Sequence, residues 1–88
     1  MSDHLHTAAW LDLGDTVSVR LNKPANVMLI SDEAYSDYKA NEGFHYLGGW
    51  VSDTLITLWP PKPGLWHVVV DLGGNEGRVS ASVQVLRG

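Results

Sequence analysis

The chain has 88 residues, a formal net charge of −4 and no cysteine. Chains divide into several domains only well beyond this length, so we expect one domain over residues 1–88. The lack of cysteine excludes a disulfide framework, a thiolate metal site and a thiol nucleophile, and it suits a cytoplasmic protein. Met1 to Leu13 has neither the cationic start nor the apolar run of a secretory signal, and no apolar run is long enough to cross a membrane.

The six basic residues argue against nucleic acid and anionic membranes as partners. A surface that binds phosphates needs a stripe of lysine and arginine, and polybasic segments are what anionic lipids attract. In this chain the basic residues are scattered along the sequence, as Arg20, Lys23, Lys39, Lys62, Arg78 and Arg87. We therefore expect neither a nucleic-acid partner nor a membrane partner.

Two-residue alternation predicts strands in the first third of the chain. His4 to Trp10 is a predicted first strand, and a turn at Leu13 to Asp15 follows it. The clearest alternation covers Asp15 to Leu21, where every second residue is apolar, as in a strand with one buried face. Val27 to Ile30 is apolar at both parities, which predicts a central strand that packs on both faces.

One segment has the pattern of a helix. It covers Ser31 to Asn41, where Ser31 or Asp32 can cap the amino terminus and acidic residues suit the positive end of the dipole. Tyr35 and Tyr38 are three residues apart, so we expect both on one face of this helix.

The remainder of the chain returns to strand patterns. Gly48 and Gly49 interrupt the first of these strands and predict a bulge, or else a site where a ligand or a neighbouring chain approaches the backbone closely. The predicted strands and turns, in order, are Phe44 to Trp50, Thr54 to Trp59, a Pro-rich loop to Gly64, a strand from Leu65, a turn at Gly73 to Gly77, and Arg78 to Leu86. We therefore predict an all-β fold, an antiparallel sandwich of about seven strands with one short inserted helix.

Several short motifs of the chain, taken in sequence order, resemble those of a known family. They are Leu13 to Val17, Asn26 to Leu29, Tyr35 and Tyr38, Tyr46 with Gly48-Gly49, and Gly64 to Gly74. Together they resemble the bacterial family called domain of unknown function 1883, from about His6 to Leu86. The resemblance implies a compact β domain that occurs alone or ahead of Toll/interleukin-receptor-like domains, and hence a sensing or docking module. It supplies no catalytic residues.

The histidines and one carboxylate are the first candidates for chemistry. His4 and His6 share a strand face, and His45 or His67 could add a third nitrogen, but no carboxylate is fixed beside them. His67 and Asp71 also share a face, about 13 Å apart at roughly 3.3 Å per residue, which is too far for a hydrogen bond. No Gly-x-Ser-x-Gly motif is present. We expect no catalytic residue, no metal and no cofactor, and we expect that the protein is not an enzyme.

The aromatic residues are the better lead to function. Trp66 alternates in phase with Val68 and Val70, which predicts a core position. A small core cannot enclose every large ring, and Tyr or Trp left at a surface is typical of binding sites, although a second small core beneath the helix is an equal alternative. The candidate binding surface consists of His6, Tyr35, Tyr38, Tyr46, Gly48, Gly49 and Trp50.

These residues favour a non-catalytic binding or protein-interaction module. The alternative is a β domain that binds a small ligand or a metal. We expect the partner to be a second copy of the chain, in a homodimer, or an unidentified protein, since sheet edges and surplus aromatic side chains both favour association.

Overall fold

The strands and the helix follow the order that the sequence predicts. In a computed structural model, residues 4–39, 46–72 and 79–88 are described. The elements are β1 (His4–Leu11), β2 (Thr16–Leu21), β3 (Ala25–Ser31), α1 (Asp32–Lys39), β4 (Leu47–Val51), β5 (Leu55–Leu58), β6 (Gly64–Asp71) and β7 (Ala81–Leu86).

Seven antiparallel strands form two sheets. The four-stranded sheet has the order β1-β6-β3-β4, and the three-stranded sheet has the order β5-β2-β7. The turn between β1 and β2 and the turn between β2 and β3 each carry the chain from one sheet to the other. The two sheets face each other, since one core cluster contains side chains from both. The predicted sandwich with one inserted helix is confirmed.

The core lies between the sheets because alternate residues of each strand point inward. From β2, the inward side chains of Val17, Val19 and Leu21 are buried, as the alternation predicts. Trp66 is also in this core with 6% of its surface exposed, and its indole N–H donates to the carbonyl of Lys62 at 3.1 Å. Its predicted core position is confirmed, and the buried ring leaves no unpaired donor.

The middle strands of the four-stranded sheet are buried on both faces. Val27, Met28, Leu29 and Ile30 are all buried, which agrees with the prediction for β3. Met28 and Ile30 point away from the sandwich core and form a second small core with Val69, against which residues of α1 pack. The second core that the sequence left as an alternative is therefore present.

The helix begins where its sequence provides a cap. The backbone N–H of Ala34 donates to the Ser31 hydroxyl oxygen at 3.3 Å, and Asp32 and Glu33 occupy the first turn. These groups compensate the unpaired N–H groups and the positive dipole at that end. The predicted end of the helix at Asn41, the start of the next strand at Phe44, and the turn at 73–77 lie outside the described residues.

Within the described part of the chain, the helix is too short to cross a membrane.

Candidate functional site

The polar and aromatic side chains that predict a site lie on one surface. We call it the outer face: the side of the four-stranded sheet that is turned away from the three-stranded sheet. The register pairs His6 of β1 with Val69 of β6, and Ala8 with His67, so both imidazoles lie on this face. Helix α1 packs over the adjacent strands β3 and β6 and brings its own side chains to the same place.

Two histidines and an aspartate form a hydrogen-bonded chain on the outer face. His6 Nε2 lies 2.7 Å from His67 Nδ1, and His67 Nε2 lies 2.8 Å from Asp32 Oδ1. The two imidazole planes are within 11° of each other with ring centres 5.0 Å apart. Because His6 Nε2 and His67 Nδ1 are within hydrogen-bond distance, we interpret these two rings as lying edge to edge rather than stacked. The fold thus joins β1, β6 and the first residue of α1.

The direction of these hydrogen bonds follows from the chemistry of the groups. An ionised carboxylate only accepts, so His67 must donate from Nε2 to Asp32. A neutral imidazole then has only an acceptor at Nδ1, so His6 donates from Nε2 to His67. Asp32 therefore determines the tautomer of His67, and through it the tautomer of His6.

Tyr35 covers the histidine pair. Its ring centre lies 4.0 Å from that of His67 and 4.5 Å from that of His6, with interplanar angles of 5° and 12°. Lys39 Nζ lies 5.1 Å from the Tyr35 ring centre, within range of a cation–π interaction. One tyrosine ring thus holds both imidazoles in plane and links them to the end of the helix.

A second group of side chains surrounds Asp71 at the end of β6. The Tyr38 hydroxyl donates to Asp71 Oδ2 at 3.3 Å, and the Asn26 side-chain amide donates to Asp71 Oδ1 at 3.1 Å. Burial and the neighbouring Asp71 carboxylate, with a smaller contribution from Tyr35, raise the pKa of Tyr38 to about 12. The phenol therefore stays protonated and donates at neutral pH.

These two groups are continuous, since the Tyr35 and Tyr38 rings stack with centres 5.9 Å apart. We call them together the polar network, and it is ordered yet reaches solvent. His67 is largely buried, Tyr35 and Tyr38 are partly buried, and His6 and Asp32 are exposed. The members are His6, Asn26, Asp32, Tyr35, Tyr38, His67 and Asp71.

Strand β4 extends the outer face beyond the helix. Trp50 lies opposite Asn26 in the register and is 51% exposed, and Tyr46, just before the strand, is 47% exposed. Gly48 and Gly49 have φ values of +109° and +143°. A Cβ on Gly48 would lie 2.1 Å from the carbonyl oxygen of Val27.

The glycine pair therefore differs from the favoured expectation. β4 and β3 pair one residue to one across Gly48 and Gly49, so no bulge is present there. Instead, the backbone that approaches Gly48 closely is that of β3 in the same chain, at the Val27 carbonyl. Only a residue without Cβ fits at this position.

The outer face brings together part of the surface that the sequence suggested. His6, Tyr35 and Tyr38 meet in the polar network, while Trp50 and Tyr46 lie along β4. From the sequence, His67 and Asp71 are considered for metal binding or catalysis but are not included in the binding surface. Sequence reasoning missed the roles of Asn26 and Asp32, whose partners are distant along the chain. A signal existed for His67, because it is a polar residue in the otherwise apolar run of β6.

The described residues contain no group of three or more His, Asp or Glu that could hold a metal ion. His6 Nε2 and His67 Nδ1 share a hydrogen bond, so these two nitrogens are already occupied by each other. His67 and Asp71 have different hydrogen-bond partners, as their spacing along β6 predicts. His67 hydrogen-bonds to Asp32, whereas Asp71 accepts from Asn26 and Tyr38. The side chain of His4, and all of His45, lie outside the described part of the chain.

Fold and surface together define a small two-sheet β domain with an ordered polar network on one sheet. Comparison with family models assigns it more closely. Residues 3–88 match the model described as Domain of unknown function (DUF1883), and the chain belongs to that family. Comparison with curated proteins and with solved structures gave no match.

Proposed function

We propose that this domain is a non-catalytic binding module that contacts a protein partner with its outer face. The observation that carries the proposal is the polar network, in which seven side chains from four elements are held by hydrogen bonds and ring contacts at a solvent-accessible surface. Binding groups that are already ordered lose little further entropy when a partner arrives.

The exposed rings beside the network supply contact area. Trp50 and Tyr46 combine a large apolar body with a polar tip, and such residues dominate the energetics of protein interfaces. Trp50 lies on β4, next to the strand that carries Asn26, and Tyr46 directly precedes β4. The proposed contact surface therefore runs from His6 across α1 to Trp50.

The charge of this surface favours a basic partner. Helix α1 carries Asp32, Glu33 and Asp37 against the single cation Lys39, and the whole chain has a net charge of −4. Lysine or arginine side chains can pair with these carboxylates and stack on exposed rings. The absence of cysteine suits a partner in the cytoplasm, where we place the domain.

A random peptide library selected on the immobilised domain tests this proposal. We expect the enriched peptides to combine lysine or arginine with an aromatic residue, and their affinity to fall with rising salt. Trp50→Ala should weaken the binding of these peptides roughly tenfold or more, which is the loss expected for a central interface residue. Trp59→Ala is the matched control, since Trp59 is 62% exposed but follows β5 of the other sheet.

Two outcomes would overturn the proposal. The first is a library that enriches no peptide above its background on an unrelated β-sandwich. The second is a set of enriched peptides that bind the Trp50→Ala protein as tightly as the wild type and lose affinity with Trp59→Ala.

A further inference from the structure

A cleft opens between the two sheets on the side formed by β1 and β7. It has a volume of about 260 Å³, and its walls include Leu5 and Thr7 of β1 and Val83 of β7. Leu5 points inward, opposite Val70, yet 39% of its surface is exposed. The sandwich core is therefore open to solvent along this side.

Contacts of the carboxyl-terminal residues close one end of the cleft. At the closed end, Arg87 donates to the carbonyl of Trp10 at 2.8 Å and to Asp15 Oδ2 at 2.9 Å, and the N–H of Gly88 donates to Asp15 Oδ1 at 3.0 Å. These contacts join the carboxyl-terminal ends of β1 and β7. The two strands therefore run in the same direction.

β7 lacks the features that usually protect a sheet edge. On the opposite side of the sandwich, the edge strand β5 has four residues, and β4 carries two glycines with positive φ. Short strands and irregular backbone discourage the addition of further strands. β7 has six residues in regular alternation and contains no charged residue or proline. Among the described strands it pairs only with β2.

The chemistry of the cleft defines its occupant. The occupant must be an extended strand that hydrogen-bonds to β7 and places apolar side chains against Leu5, at alternate positions and without charge. β7 itself has this pattern, since Ala81, Val83 and Val85 all point inward. In an antiparallel pair, directly opposite residues point to the same side, so two copies of β7 can pair with their apolar residues on the same side.

We propose that this side is a homodimer interface, in which β7 pairs antiparallel with β7 of a second copy and the two clefts form one core. A two-fold axis perpendicular to the sheets also brings β1 beside β1 of the second copy, because β1 is the edge strand of the other sheet on the same side of the sandwich. Neither strand contains Asp, Glu, Lys or Arg, so the contact places no like charges together despite the net charge of −4. His6 borders the cleft and also belongs to the polar network, so this surface adjoins the outer face along β1. The inference goes beyond the binding function proposed above.

Sedimentation equilibrium over a concentration series tests the dimer. We expect the mass to rise from 9.6 kDa toward twice that value in the micromolar range. Leu5→Lys should weaken the dimer more than roughly tenfold, since the ammonium group reaches water in the monomer but is buried without a partner in the dimer. Leu55→Lys is the matched control, because Leu55 is an exposed leucine on the edge strand β5.

Single cysteines keep the test valid if Leu5→Lys does not fold. The natural chain has no cysteine, so Ser82→Cys and Gln84→Cys, oxidised alone and as a mixture, report only the introduced thiols. We expect a covalent dimer from these positions and none from Thr57→Cys on β5. A mass of 9.6 kDa at every concentration would overturn the proposal. So would a dimer that Leu55→Lys weakens and Leu5→Lys does not.

Discussion

The two faces of the four-stranded sheet are built from alternate residues of the same strands, yet their chemistry differs. On β6, Trp66, Val68 and Val70 point into the sandwich core, while His67 and Asp71 point to the outer face. The inner side chains are buried and apolar. The outer ones include an imidazole and a carboxylate, each hydrogen-bonded to partners on other elements.

The difference in chemistry between the two faces shows which of them contributes most to the stability of the domain. The inner face gains stability from apolar burial, which is roughly proportional to the area removed from water. Hydrogen bonds on the outer face exchange water for protein partners and contribute much less net stability each. A polar network of this extent therefore contributes little to the stability of the domain, which is one reason for the binding function proposed above.

The largest expected effect is on the inner face. Trp66→Ala should lower the free energy of unfolding by about 3–5 kcal/mol, because it removes a buried ring and leaves a cavity. Trp59→Ala, at a ring that is 62% exposed, should change it by less than about 0.5 kcal/mol. Urea denaturation of both variants measures the difference, and equal values would contradict the distinction between core and surface.

The next effect sharpens the contact between β3 and β4. Gly48→Ala should destabilise the domain by about 1–3 kcal/mol, since it combines positive φ with a clash against the Val27 carbonyl. Gly49→Ala should cost less, because its φ is +143° but nothing lies within 4 Å of the added Cβ. Thermal melting compares the pair. A Gly48→Ala protein that is as stable as Gly49→Ala would show that the two backbones are further apart.

A smaller effect is expected for the outer face. His6→Ala should destabilise the domain by about 0.5–1.5 kcal/mol, the usual net value of one hydrogen bond. Gln84→Ala on the exposed side of the three-stranded sheet is the control, with an expected change of less than about 0.5 kcal/mol. If His6→Ala cost as much as Trp66→Ala in the same urea series, the outer face would be a structural core rather than a binding surface.

The last effect is absent at neutral pH and appears only at high pH. The pKa of Tyr38 is raised from 10.0 to about 12 in the folded state, so the unfolded chain loses this proton first. The resulting stability is fully present below pH 10 and is lost as the pH rises toward 12. Tyr38→Phe should remove this decline, as measured by unfolding at a series of pH values. An unchanged pH dependence in that variant would contradict the burial of the phenol beside Asp71.

Local pattern predicted the fold well because each strand records its buried face in its own sequence. The alternation of β2 and the doubly apolar run of β3 are both visible without knowledge of any partner strand. The cap at Ser31 is equally local. The conformation of Gly48 was less predictable, because a bulge and a close approach both call for glycine in the sequence.

The polar network could be predicted only in part, because it depends on register. Asp32 and His67 are 35 residues apart in the chain, and His6 and His67 are 61 apart. Alternation indicates which face each residue occupies, but not which residues lie opposite one another on neighbouring strands. The sequence therefore suggested Tyr35 and His6 as surface residues without indicating that they stack.

The central claim of the proposed function is that a partner binds the outer face and not the exposed face of the three-stranded sheet. Amide NMR spectra of the labelled domain, recorded against a library of small cationic and aromatic fragments, test it most directly. We expect shifts to concentrate at His6, Asn26, Tyr38 and Trp50, with Ser18, Thr57 and Gln84 unchanged. Shifts that concentrate on the three-stranded sheet, or a library that perturbs neither sheet, would contradict the claim.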